Sequence, residues 1–457
     1  MRRKTGRILF VCVGVMAVAL VGCRDGSGGS SDIVAPGPDI QADTSDTPDQ
    51  TVGTDDTWEE DTFAPAPLPF APAGPHEVPD PMAPGPFPTG VRTFDLFDES
   101  RPCDRRGTGR WLRVDIWYPA TQDARDGEEA VIDVVVESEG IITGAKRDVI
   151  VEADIPLIPT GAYRDAPLET THGPYPVVLF SHGANGIRWQ SVFYTVHLAS
   201  HGYIVISADH DYNTLWDVLL DGFQGDSLAE SLLYRPDDMM FLLDTLEAWR
   251  DDPDSFLHAA VNVARVAASG HSLGGVTSTA VACLDPRLDA VVLHSPQIMA
   301  GQLFGRCLNE PFPVPSMTMG GTMDDTLQYC GQYCDYKHQI HGEQPKYLFE
   351  LLDGGHFTFS DVCLLDLVHV ARELEMGSDA EHILTDGCGE LNVPFDIAHA
   401  AINHYATAFL NLHLRDSEGS RALLVESDRS PFHVVNFFEG DVPDFWGEGG
   451  CDECSIF

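Results

Sequence analysis

The chain has 457 residues, 43% of them apolar, and a formal net charge of −44 at pH 7. That length is enough to bury a large core. The acidity excludes nucleic acid as a partner, since that needs clustered Lys and Arg, and argues against electrostatic docking on anionic lipid.

Residues 1–22 read as an export signal. Arg2, Arg3, Lys4 and Arg7 form a basic start, and Ile8–Gly22 is an apolar stretch too short to span a bilayer comfortably. It ends Leu20-Val21-Gly22-Cys23, which resembles a bacterial lipobox and implies cleavage before Cys23 and lipid on its sulfur. The expectation is a cell-envelope lipoprotein, membrane-anchored and either periplasmic or surface-exposed. Residues 23–90 are rich in Asp, Pro, Ser and Thr, so they cannot bury enough surface to offset their ordering entropy. They read as a disordered tether before a folded domain spanning 91–457. Nine of the 11 cysteines lie beyond Cys23, and in an oxidising compartment most of them pair. Cys451 and Cys454 could close on each other. A zinc-like alternative is Cys330-x3-Cys334-x3-His338-x2-His341, although its spacing is not a standard one.

Within the folded part, residues 91–118 alternate like strands, and further strands are possible at 131–137 and 148–152. Pro176-Val-Val-Leu-Phe180 is a continuous apolar run, as in a strand buried on both faces. A helix follows over 188–201, then a strand from Tyr203 to Ala208. Residues 212–225 are unusually apolar for a loop. Helical spacing resumes over 226–250, and Val261–Ala268 is the next strand. Strands follow at "LDAVVLHSP", "VPSMTMGGT" and "KYLFELLDGGHF", with a last helix over 395–414. Strands alternating with helices predict an α/β fold with a mostly parallel central sheet covered by helices on both faces. The tail, containing Cys451 and Cys454, reads as irregular.

Gly270-His271-Ser272-Leu273-Gly274 sits between a strand and a helix of small residues. A serine hydroxyl is a poor nucleophile at neutral pH and needs exposure and a base. A tight strand-to-helix turn supplies the exposure, and only small flanking residues permit it. The base is expected late in the chain, and His356, behind Gly354-Gly355, follows a strand. The acid is expected between them. Asp324 and Asp325 both follow the strand "PSMTMGG", and Asp324 is favoured to orient the imidazole. Backbone N–H groups of Leu273 and Ala184 are the expected oxyanion donors, the latter from the loop "SHGANG". Trp189 and Phe193 could line an apolar substrate site. No cofactor or metal is expected.

"PVVLFSHGANGIRWQSVFYTVHLASHGYIVISADHD", "GHSLGG" and "GGHFTFSD" together resemble the platelet-activating-factor acetylhydrolase group of α/β-hydrolases. "RVDIWYPA" and "GAYRDAPL" fit its bacterial members, which are similar to dienelactone hydrolases and polyester hydrolases. The resemblance covers roughly residues 91–415. It implies a Ser272–Asp324–His356 triad, with Ala184 as oxyanion donor and the "GTxD" pattern selecting Asp324. The expectation is an exported serine esterase acting through an acyl-enzyme on a small or lipid-like ester. A serine peptidase or thioesterase on the same triad, or a non-catalytic ligand-binding lipoprotein, is the alternative.

Overall fold

Val177, Val178, Leu179 and Phe180 are all fully buried, yet they face two different cores. Successive side chains of a strand point to opposite faces, so a strand covered on both sides must be apolar throughout. The structure is a computed structural model that describes residues 80–101, 109–222, 225–365, 367–425, 430–442 and 454. The predicted signal segment, Cys23, most of the tether, Cys103 and Cys451 lie outside the described residues.

Eleven strands form one sheet among the described residues. They are β1 (Thr89–Asp98), β2 (Arg110–Pro119), β3 (Glu129–Ile132), β4 (Ile158–Arg164), β5 (Tyr175–Ser181), β6 (Ile204–His210), β7 (Val261–His271), β8 (Ala290–His294), β9 (Ser316–Gly321), β10 (Lys346–Leu351) and β11 (Val435–Glu439). The order is β11-β10-β9-β8-β7-β5-β6-β2-β1-β4-β3. The block from β6 through β10 is parallel, as predicted. Antiparallel pairing joins β2 to β6 and β11 to β10.

One core takes Phe180, Val205, Val292 and Phe349 from the sheet, with helices Val192–Ser200 and Phe395–Arg415. The other takes Leu179, Ile206 and Leu293, with Met239, Leu242 and Leu246 of helix Gly225–Asp251. The apolar stretch after residue 212 forms helix Leu215–Asp221, which buries Trp216, Val218 and Leu219. Thr214 and Asp217 close a capping box at its start.

Four expectations are corrected. Residues 148–152 belong to helix Ala145–Glu152 rather than a strand. The run at 131–137 is extended only through Ile132. Asp133 then accepts the N–H groups of Val135 and Val136 and caps the helical turn Val134–Glu137, so a local cap outweighs the β-propensity of three valines. Cys330 and Cys334 lie on helix Tyr329–His338 and are both in disulfides, so neither offers a thiolate to a metal. Cys334 pairs with Cys454, which rules out the Cys451–Cys454 loop, and Cys283–Cys307 and Cys363–Cys388 are the other described pairs.

One cation joins four separate segments. The guanidinium of Arg188, 1% exposed, lies 2.9 Å from Asp115 of β2, 2.9 Å from Asp209 of β6 and 2.6 Å from Glu137. Burial opposes the charge, but the three carboxylates outweigh it and hold Arg188 well above the usual arginine range. Removing the cation strands three carboxylates out of water. Arg188→Met is expected to lower unfolding free energy by about 3–5 kcal/mol, the range for breaking a buried ion pair, as read from denaturant midpoints.

Candidate active site

The turn after β7 is as tight as the sequence suggests. Ser272 has φ 55° and ψ −118°, a conformation a non-glycine residue rarely adopts, and helix Leu273–Leu284 begins at the next residue. Its N–H donates to the carbonyl of His294 at 2.8 Å, which ties the turn to the end of β8. The flanking glycines are required by approach distance. A Cβ on Gly274 would sit 1.9 Å from the carbonyl oxygen of Ser181, and one on Gly270 would sit 2.4 Å from Gly274. The serine itself is half-buried while its neighbours are buried.

His356 begins a short helical turn, His356–Phe359, after β10. Its Nδ1 is 2.8 Å from Oδ2 of Asp324, just past the end of β9. A carboxylate only accepts, so Nδ1 carries the proton and Nε2 keeps a free lone pair. Asp324 is 3% exposed and also accepts Gln332 Nε2 at 2.9 Å and the N–H of Leu327 at 2.7 Å. Asp325 is exposed and its N–H turns instead to Asp386. Of the adjacent carboxylates, Asp324 is the one that reaches the ring.

The glycines before His356 serve close packing. A Cβ on Gly355 would lie 2.4 Å from the nitrogen of Gly387. That neighbouring turn carries a residue that sequence reasoning missed. Asp386 accepts the N–H of His356 through Oδ1 at 3.0 Å, and through Oδ2 the N–H groups of Asp325 and Thr326 at 3.1 and 2.7 Å. One carboxylate therefore clamps the segment bearing the base to the one bearing the acid. In the sequence it is only the Asp of an Asp-Gly turn, and nothing local marks it.

The loop after β5 lies against the serine. A Cβ on Gly183 would be 3.5 Å from that of Ser272. A buried side-chain chain crosses the site. Gln190 Oε1 accepts the N–H of Gly183 at 3.0 Å, Gln190 Nε2 is 2.7 Å from His271 Nδ1, and His271 Nε2 is 2.9 Å from the carbonyl of His356. That carbonyl requires a proton on Nε2, so Nδ1 accepts from the Gln190 amide. Burial holds His271 well below the usual histidine range and keeps it neutral. The N–H groups of Ala184 and Leu273 have no acceptor among the described residues. Trp189 is 2% exposed and part of the hydrophobic core, which makes it a packing residue in this structure rather than part of an open face. Phe193 stacks on His399 with ring centroids 3.6 Å apart. His294 lies fully buried behind the turn, its basicity pushed down to about 3 by burial.

The chain ends its sheet pattern, its strand–serine–helix turn and its strand-end acid and histidine in one known arrangement. The fold is that of the α/β-hydrolases. Residues 80–219 match the family model of platelet-activating factor acetylhydrolase, isoform II, in line with the resemblance read from the sequence. That match holds the loop after β5 and ends before Ser272. No curated protein matches the chain in sequence. A ferulic acid esterase from Streptomyces cinnamoneus has a similar structure, with TM-score 0.57 and 24% identity, covering 78% of this chain and 98% of that one. At that identity the likeness speaks for the fold.

The same fold also buries an acid near the site. Asp361 accepts the N–H of Phe193 at 3.0 Å at the start of helix Val192–Ser200. Burial pushes its carboxyl up from 3.8 to about 7, against the backbone hydrogen bonds from Phe193 and Val192 that favour the anion. The folded state thus holds this proton more tightly than the unfolded chain. Stability from this group is complete below about 4 and falls as pH rises through about 7. Asp361→Asn cannot ionise. Its melting temperature relative to the parent is expected to rise more at pH 8 than at pH 5, measured by calorimetry at both values.

Proposed function

We propose that the chain is an exported serine carboxylic-ester hydrolase. The observation that carries the reading is Ser272, held at positive φ between β7 and its helix, together with a His356 whose Nδ1 is bound to Asp324 at the same edge of the sheet. The enzyme class rests on the acetylhydrolase family match. In the reaction, His356 Nε2 takes the proton of Ser272 as Oγ attacks the ester carbonyl. Asp324 stabilises the resulting imidazolium. The oxyanion lies toward the Ala184 and Leu273 N–H groups, and losing one such donor typically costs about 10²–10³ in rate. The imidazolium gives its proton to the departing alcohol and leaves an acyl-enzyme. Water activated by His356 then releases the acid. These steps need no cofactor. Leu273 also belongs to a small apolar cluster with Leu232, Val276 and Phe304, which suits an ester with an apolar flank.

Ser272 is expected to be the residue labelled by a fluorophosphonate probe, and Ser272→Ala to lose both label and ester turnover while keeping its fold. Asp324→Asn is expected to cost roughly 10⁴ in kcat, by comparison with other serine triads, and Asp325→Asn little. Turnover of p-nitrophenyl esters of increasing chain length reads both effects and narrows the substrate. Labelling that persists in Ser272→Ala contradicts the assignment.

The envelope location rests on the sequence of residues 1–23. The mature chain is expected to begin at Cys23 and to partition with membranes through acyl chains. Metabolic palmitate labelling of Cys23→Ser is the check. Retained label with retained membrane association overturns the anchor.

A further inference from the structure

Arg235 is 0% exposed and sits on helix Gly225–Asp251, outside every motif that marks the site. Its guanidinium makes no direct ion pair among the described residues. It reaches instead into the loop after β5, with Nη1 2.6 Å from the carbonyl of His182 and Nη2 2.9 Å from the carbonyl of Gly183. Nη2 also lies 2.6 Å from Asn213 Oδ1, which fixes its direction.

The carbonyl of Gly183 has two further donors. His182 Nδ1 is 2.7 Å away, and the N–H of Gly186 is 3.2 Å away. His182 Nε2 accepts the N–H of His210, so the proton is on Nδ1 and the ring donates. Three donors therefore fix one carbonyl from one side. A trans peptide points its N–H opposite its C=O. The N–H of Ala184 must then point away from Arg235, and it has no acceptor among the described residues. The preceding N–H, that of Gly183, is already bound to Gln190.

We infer that Arg235 is the positioning residue of the oxyanion site: it locks the Gly183–Ala184 peptide so that Ala184 N–H faces the reacting carbonyl. This rests on the esterase reading above. A cation on the carbonyl side also polarises the amide and strengthens its N–H as a donor, as linked hydrogen bonds reinforce one another. Burial brings Arg235 down to about 9, so it stays cationic at neutral pH. Lysine cannot replace it. A single ammonium does not fork across two carbonyls and an amide oxygen.

The test is Arg235→Lys in the full chain. Turnover of a p-nitrophenyl ester is read together with the affinity of a trifluoromethyl ketone, whose hemiketal oxyanion occupies the site. The expectation is a kcat lower by about 10–100-fold, KM within about threefold, and ketone affinity falling in parallel with kcat/KM. A residue that only stabilises the fold would lower the melting temperature and leave ketone affinity unchanged in the folded fraction, and that result overturns the inference. If Arg235→Lys does not fold, Asn213→Ala decides, because it releases Nη2. A lowered kcat and ketone affinity supports the inference, and unchanged values overturn it. A parent protein with neither ester turnover nor fluorophosphonate label would instead overturn the esterase reading.

Discussion

The helix that follows Ser272 meets the end of β5 with no room for a side chain. Gly274 lies so close to the carbonyl of Ser181 that even a methyl group would overlap it. That contact fixes the rest of the site. β5 and β7 are parallel neighbours and finish at the same edge of the sheet. The loop that leaves β5 is therefore forced over the serine, and its glycine at 183 comes against Ser272 itself. β9 and β10 end at that edge too, which delivers Asp324 and His356 to one place. Sequence-distant residues meet because parallel strands present all their carboxyl ends together.

Polar side chains then hold these loops in register. Asp386 joins the acid segment to the histidine segment, and the Gln190–His271 pair joins the histidine segment to the loop after β5. Arg188 anchors that loop to β2 and β6. The chain carries 71 acidic residues and only 27 Lys and Arg, yet Arg188 and Arg235 are wholly withdrawn from water. Acidic groups cover the outside, and scarce cations organise the interior.

The central strands were legible because burial on both faces demands apolar runs, as at Val177–Phe180. The edges were less so. β4 lies one strand in from the β3 edge and β11 forms the other edge, and their sequences carry no such run. The strand reading at 148–152 failed because Val149–Val151 has the same residue types in a helix, and tertiary packing of Ile150 decided between them. At the site, Ser272 was legible through glycines that mark close backbone approach, and His356 through its place after a late strand. Adjacent residues at a strand end diverge, so only one of Asp324 and Asp325 could reach the ring, and the "GTxD" pattern of the resemblance picked Asp324. Asp386, Gln190 and Arg235 were invisible for one reason: each acts on backbone groups far away in sequence, and no local pattern encodes such a partner.

The disulfides lie away from the sheet and next to the loops. Cys334–Cys454 staples the helix whose Gln332 supports Asp324. Cys363–Cys388 brackets the turn holding Asp386, and Cys283–Cys307 ties down the far end of the helix that starts after Ser272. The parallel sheet has no covalent reinforcement of its own among the described residues and rests on packing. A reductant would therefore soften the arrangement of reacting groups before it touched the scaffold. Protein recovered from a reducing host would keep its circular dichroism yet turn over poorly. Correct spectra are thus a weak guide to the quality of a preparation, and the state of the thiols is the better one.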